Sequence, residues 1–399
     1  MNKEDRILYF FTATYPYGQR ESFIEDEIKF LSSSFKKVVI VPLEGIGAPT
    51  RTVPDNCEVL EPIITSKKQQ YLIGLLCPLS LKTYLPEFFK KKVFLNSRRL
   101  KTWLISYVLS NNLLKSRVIK KLFKEINPDD VCYFYWGKGS NVLAYFYKGK
   151  APFVSRFHGE WDLWEESSGN YAPIRSKIVP SLDTAVLISE KGRNYLQVRY
   201  SGCKMTIIPL GSPDFGAGTR SSDGKLRVLS CSSVYGLKRV PLIFESLKTI
   251  KDKEIIWTHI GNGVDFEQLR EQIRVSCPPN IKVNLLGRKP HPEVFSYYKN
   301  NPVDVFVNVS TNEGVPVSIM EALSFNVPVV ATNVGSNSEI VTKESGMLIS
   351  ANPSPEEVAR AIIELTGKDV KARGFWNNHY NAQKNYGEIV QLLKIVQHG

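Results

Sequence analysis

Cysteine is scarce and unpaired in this 399-residue sequence. Its six cysteines, Cys57, Cys77, Cys132, Cys203, Cys231 and Cys277, lie far apart, with no CxxC and no Cys/His cluster. That spacing excludes a disulfide-stapled scaffold and speaks against a structural zinc or redox centre, leaving buried free thiols. Long apolar runs are missing as well. The longest, around Tyr71 to Leu79, is about half the length a membrane-spanning helix needs. The opening MNKEDRILYFFTATYPYG lacks a basic region, apolar core and cleavage site in succession, so it reads as a first strand rather than a secretion signal. These absences point to a reducing, cytoplasmic setting. There is no Asp-x-Asp pair, no internal repeat and no low-complexity tract.

What the chain has in excess is positive charge. Lysine and arginine number 52 against 39 acids, a net +13, which raises nucleic acid, an anionic membrane or a phosphorylated ligand as partners. The surplus is concentrated: residues 66–125 carry 14 basic side chains, Lys67 through Lys124, against two acids, Glu87 and Glu125. With 43% hydrophobic and 23% charged residues, the chain is globular and long enough for two cores of roughly 150 to 200 residues.

Short β-branched runs recur at Arg6–Thr12, Val38–Pro42, Val131–Tyr135, Phe153–Phe157, Thr184–Ser189 and Met205–Pro209. They resume at Leu226–Cys231, Ile255–Ile260, Ile281–Leu286, Val303–Val309 and Val327–Ala331. Helical periodicity fills the gaps. Near-continuous apolar strands alternating with helices predict parallel sheets covered on both faces. Between the two series lies GSPDFGAGTRSSDGK, which has no periodicity and reads as a linker. The expected organisation is an α/β protein of two tandem domains: 1–211, a linker at 212–225, 226–374, and a C-terminal segment 375–399. Such domains bind ligands at the carboxyl ends of their strands.

Residues 303–341 carry the clearest chemistry. A buried strand runs into the loop Ser310–Gly314, and Pro316 stands where a helix should begin. The amides near Val317 and Ser318, with the positive end of the helix dipole, suit a phosphate or diphosphate. Glu313 precedes the helix and Glu321 follows eight residues later, on a similar face. Carboxylates beside an anion site make sense if they hold hydroxyls, so a diphosphate with a sugar on either side fits. The same spacing also suits a helix-dipole carboxylate and a solvated one.

Glu313-GVPVSIM-Glu321, followed by ALSFNVPVVAT, resembles the signature of the family 4 retaining nucleotide-sugar glycosyltransferases. The resemblance covers nearly the whole chain and is strongest from Leu226 to Ile349. It implies the GT-B architecture, two Rossmann-like domains facing across a cleft, with a C-terminal helix crossing back to the first. By this resemblance Glu313 contacts the transferred sugar and Glu321 the ribose. Gly314, Val315, Pro316 and Val317 border the diphosphate and sugar. Lys238 falls at the family's diphosphate lysine, and Ser233 replaces an arginine often found five residues earlier, leaving Arg239 as a second cation. Gly263, in Ile260-Gly261-Asn262-Gly263, and Arg288, after Leu286-Gly287, are further donor contacts; a tight turn and a structural arginine are the plain alternatives. Gly335 resembles part of a ligand loop, whereas Ser336 to Glu339 reads as a capping box.

In the N-terminal half the resemblance places His158-Gly159 facing the transferred sugar, with Asp162 and Arg156 towards the acceptor and Glu160 as an extra carboxylate in reach. Gly18 lies in a loop over the cleft, and Glu21 sits at a common family position. Trp136, in Tyr135-Trp136-Gly137-Lys138-Gly139, reads as packing or as a platform for a sugar ring. In residues 66–125, Leu, Tyr and Phe interleave with Lys and Arg, as in Phe88 to Phe94. That pattern suits an anionic membrane surface, and no nucleic-acid-binding module is evident.

The function expected is sugar transfer from a UDP- or GDP-linked donor to a glycan or lipid-linked acceptor, in bacterial polysaccharide biosynthesis. The resemblance implies no cofactor and no metal, and a location at the inner face of the cell membrane. A nucleotide-sugar epimerase on the same scaffold and a non-catalytic membrane adaptor are the alternatives.

Overall fold

Strands that are apolar along their whole length need cover on both faces, and the computed structural model provides it. The structure describes residues 4–18, 21, 23–159 and 162–397. They divide into two units, residues 1–208 with 386–399, and residues 209–385.

The first unit holds a parallel sheet of β1 (Glu4–Thr12), β2 (Phe35–Pro42), β3 (Cys57–Val59), β4 (Val131–Phe134), β5 (Phe153–Phe157), β6 (Thr184–Leu187) and β7 (Lys204–Ile207). Their spatial order is β3-β2-β1-β4-β5-β6-β7. The second unit holds β8 (Leu226–Cys231), β9 (Ile255–Ile260), β10 (Ile281–Leu285), β11 (Val305–Asn308), β12 (Val329–Thr332) and β13 (Gly346–Ile349), ordered β10-β9-β8-β11-β12-β13. In each sheet the order reverses once, between β1 and β4 and between β8 and β11. A crevice opens outside the carboxyl ends of the strands at such a reversal. Each unit therefore has one place where a ligand site is favoured.

The basic segment folds as a helical excursion between β3 and β4: Lys67–Leu76, Leu81–Lys90, Ser97–Lys115 and Arg117–Glu125, with a 3₁₀ turn at Val93–Leu95. Buried amides lace it together. Asn111 accepts from Ser80 and donates to Gly74 O (2.7 Å), and Asn112 donates to Gln70 O. Glu87 is turned inward, accepting from the Tyr171 hydroxyl (2.6 Å) and the Ile174 amide, so it leaves the exposed basic face uncompensated.

Two expectations about boundaries differ from the structure. Residues 212–225 belong to the second unit and are pinned to it, because Ser212 exchanges backbone bonds with Tyr380 and Ala382, and Ser221 bonds Asp304. The C-terminal segment is shared: Phe375 through Asn385 lie in the second unit and 386–399 in the first. In the first unit, Tyr386 meets Phe30 (ring centroids 5.4 Å). Arg6 caps the final helix by donating to Lys394 O (2.7 Å) and Val396 O (2.9 Å), the orphan carbonyls a cation satisfies best.

In the second core, fully buried His259 shares a hydrogen bond between its Nδ1 and Ser230 Oγ (2.8 Å), which also accepts from Trp257 Nε1. Burial pushes its pKa down to about 4. Between pH 6.5 and 4 the unfolded chain therefore binds a proton that the folded unit refuses, so stability is present above that window and falls as pH is lowered through it. His259→Asn is expected to remove roughly 3 kcal/mol of acid sensitivity, measured as the wild-type minus variant difference in urea stability at pH 7 and pH 4.

Candidate active site

The reversal between β8 and β11 brings together two loops far apart in sequence. Thr311 N donates to Leu237 O (2.8 Å), tying the loop after β11 to the one after β8. Across this seam the Lys238 ammonium meets Glu313 Oε1 at 2.7 Å, with the two side chains 17% and 7% exposed. Asn308, the last residue of β11, donates from Nδ2 to the same oxygen (3.2 Å) and accepts the Ser310 amide. Local sequence gave no reason to single out Asn308; its signal is a polar residue at the carboxyl end of an apolar strand.

The backbone around Glu313 is held by a close approach. Gly335 has φ +54°, and a Cβ there would lie 1.7 Å from the Glu313 carbonyl oxygen. Ser336 N donates to Gly314 O (3.3 Å) on the same contact. The helix runs from Val317 to Ser324, with Pro316 at its N-cap and no side chain capping it. Val315 and Pro316 are buried, Gly314 and Val317 half-buried. Ser336 makes no side-chain cap on its own short helix, so the capping-box reading is corrected.

Glu321 is buried about one turn into the helix, and its Oε1 lies 2.5 Å from His291 Nε2. His291 opens the helix His291–Asn300 and was not singled out in the sequence. A separation of 30 positions leaves no local pattern to find it by.

One donor-side expectation changes. Arg239 is not a spare cation: it donates to Val309 O (2.6 Å), Ser310 O (3.0 Å), Ala351 O (2.8 Å) and Asn352 Oδ1 (3.2 Å). Its guanidinium clamps the loops after β11 and β13, and burial holds its pKa below the usual value. Gly263 is packed against the chain, because a Cβ would come within 2.1 Å of Val234 O, so close backbone approach explains the GxG. Arg288 is exposed on the loop after β10.

In the first unit the loops after β1 and β4 meet at the other reversal. The Glu21 carboxylate gathers the amides of Ala13, Thr14 and Tyr15 and accepts from Trp136 Nε1, which fixes both loops. Gly18 is exposed, its carbonyl accepting from Thr50 Oγ1 (2.8 Å). The His158 ring packs at a tilt against Trp136 and Tyr135 (centroids 4.4 and 4.7 Å), with Nδ1 3.3 Å from Asp162 Oδ2. The carboxylate favours the proton on Nδ1, and Nε2 has no partner among the described residues.

Arg156 and Asp162 cannot meet an acceptor where they stand. Arg156 is fully buried and pairs with Glu27 (2.6 Å). Burial opposes its charge, but Glu27 and the neighbouring tyrosines outweigh it and raise its pKa. Asp162 is fully buried and accepts the amides of Gly137, His158 and Gly159, so it shapes the histidine loop. Glu160 lies outside the described residues. Beside this loop the first unit contains a cavity of about 600 Å³.

Comparisons with known proteins bear on the fold and the family. A family model described as "Glycosyl transferases group 1" matches residues 215–387. TuaC of Bacillus subtilis (strain 168), provisionally assigned to teichuronic acid biosynthesis as a glycosyltransferase, is 37% identical over 272 residues, 64% of this chain and 66% of that one. AmsK of Erwinia amylovora, an amylovoran biosynthesis glycosyltransferase, is 23% identical over 184 residues, 42% and 44% of the two chains. Matches to the curated relatives span between 22% and 66% of their lengths. Anabaena HepE, solved in complex with UDP and glucose, superposes with a TM-score of 0.65 at 15% identity, covering 97% of this chain and 99% of that one. The chain carries a group 1 glycosyltransferase domain, and its two parallel-sheet units have the GT-B glycosyltransferase fold.

Gly335→Ala tests the backbone seam directly. A methyl group at positive φ and against a carbonyl oxygen is expected to cost on the order of 2–4 kcal/mol, read from urea denaturation. Unchanged stability would show that the seam yields freely.

Proposed function

We propose that this chain is a retaining glycosyltransferase that moves a sugar from a nucleotide-diphosphate-sugar donor to a glycan or lipid-linked acceptor in polysaccharide biosynthesis. The observation that carries the reading is the Lys238–Glu313 pair at the switch point of the second sheet, beside an uncapped helix N-terminus. A diphosphate sugar offers each partner what it lacks: phosphate oxygens for the lysine and helix amides, hydroxyls for the glutamate. Glu321, aligned by His291, is read as the ribose contact. The names of TuaC and AmsK support a polysaccharide product, and the HepE complex supports a nucleotide donor.

In this reading the bond between the anomeric carbon and the phosphate oxygen breaks, and the acceptor oxygen bonds the same face of that carbon. The acceptor's proton passes to the departing phosphate oxygen. With Arg239 committed to carbonyls, Lys238 and the amides of Val317 and Ser318 stabilise the charge that grows on the leaving group. Transfer is accordingly read as metal-independent. His158, whose Nε2 has no partner among the described residues, is the first unit's candidate polar group.

Peripheral membrane attachment is part of the proposal. The helical excursion exposes Leu72 (60%), Leu76 (70%), Phe89 (61%) and Leu95 (70%) among its cations, a combination that partitions into an anionic interface. Among the described residues no single helix is long and apolar enough to cross a membrane; the pair Gln70–Leu76 and Leu81–Lys90, bent by 87°, meets the length and composition only jointly.

Glu313→Ala is expected to lower transfer by at least about a hundredfold, the loss typical of one transition-state contact, with the circular dichroism spectrum retained. Transfer near the wild-type rate would remove the donor role of Glu313. Separately, neutralising Lys90, Lys91 and Lys92 to Gln should weaken binding to phosphatidylserine liposomes by about 1 kcal/mol per lysine. Unchanged sedimentation with liposomes would refute the membrane surface.

A further inference from the structure

In the Lys238–Glu313 pair only one edge of the carboxylate is in use. Its two hydrogen bonds, from Lys238 Nζ (2.7 Å) and Asn308 Nδ2 (3.2 Å), both fall on Oε1, and Oε2 accepts none among the described residues. The ammonium in turn has no second partner among the described residues. Neither end is free to drift from the other. Arg239, next to the lysine and at φ +48°, is clamped to the carbonyls of Val309, Ser310 and Ala351. On the other side Gly335 lies against the Glu313 backbone.

This geometry sets what an incoming anion meets. A phosphate that reaches Lys238 finds a charge already answered. It must displace a carboxylate that is 7% exposed, or share the ammonium with it at like-charge contact. Either way a mostly buried negative charge is left poorly paired, which is strongly unfavourable. Hydroxyl groups change the outcome. Oε2 is an open acceptor, and hydroxyls donating to a carboxylate make short, charge-assisted bonds that can replace the lysine. A phosphate carrying a hydroxylated group therefore releases Lys238, whereas a bare phosphate does not.

We propose that Glu313 is a built-in counterion that competes with phosphate for Lys238, so that the site disfavours a nucleoside diphosphate relative to the same nucleotide carrying its sugar. This rests on the donor reading of the site and adds product release to it. Once the sugar has left for the acceptor, the carboxylate loses its hydroxyl partners and reclaims the lysine. The hold on the departing diphosphate weakens as a result. The residue that contacts the donor sugar thus also clears the site.

Titration calorimetry of the full chain tests this with UDP, GDP, inorganic diphosphate, UDP-glucose and GDP-mannose. In Glu313→Gln and Glu313→Ala, inorganic diphosphate and at least one nucleoside diphosphate are expected to bind at least about tenfold more tightly than in the wild type, the low end of the coupling between close charges. A gain in affinity cannot come from misfolding. The nucleotide sugar of the same base is expected to gain less, since its hydroxyls lose the carboxylate, so the preference for donor over product falls. Glu321→Gln removes a charge from the same helix without touching Lys238 and should leave inorganic diphosphate binding unchanged. Inorganic diphosphate, UDP and GDP binding no more tightly to either Glu313 variant than to the wild type would overturn the proposal. An equal gain in Glu321→Gln would overturn it too, because plain repulsion then accounts for the effect. If inorganic diphosphate tightens as described while no nucleotide or nucleotide sugar binds, the donor reading falls and the counterion stands.

Discussion

A cation and a carboxylate held 2.7 Å apart and mostly out of water are costly unless their geometry is good and their remaining valences are met. The second unit is arranged around meeting that condition for Lys238 and Glu313. Asn308 takes part of the carboxylate, Thr311 ties the two loops, and Gly335 lets a third strand-end loop lie on the Glu313 backbone. Arg239 holds the loop's other flank by its carbonyls. The pair neutralises itself while the site is empty, and a ligand with both phosphate and hydroxyls can replace each partner's contact without stranding a buried charge.

The two sheets repeat one device with different contents. Each reverses its strand order once, and each reversal collects a glutamate that organises the neighbouring loop: Glu21 through three backbone amides, Glu313 through Lys238 and Asn308. In the second unit the reversal gathers Lys238, Glu313 and Asn308 within hydrogen-bonding distance. In the first the reversal opens into an apolar cavity beside a helical excursion that carries most of the surplus charge.

Much of this was legible in the sequence, for reasons that also explain what was not. Strands buried on both faces are apolar throughout, so eleven of the segments appeared as runs. β3 and β13 did not: β3 has three residues with Glu58 at its centre, and β13 opens on Gly346. Glu313 and Lys238, 75 residues apart, were recognisable through a family pattern; periodicity alone left Glu313 open. Arg156 and Asp162 were correctly placed near strand ends, but position does not give direction. A signal for Arg156 existed: Glu27 sits on the apolar face of its helix with Ile24, Ile28 and Leu31, where a carboxylate needs a buried cation. Nothing local marks His291.

The central claim is that the seam between the β8 and β11 loops receives a nucleotide-diphosphate sugar. Hydrogen–deuterium exchange of the full chain, with and without saturating UDP- and GDP-sugars, tests it most directly. The account predicts that at least one donor slows exchange at amides 235–240 and 310–320 while leaving the β3 and β7 edges unchanged. A donor that binds without protecting those amides, or protection confined to the first unit, would contradict it.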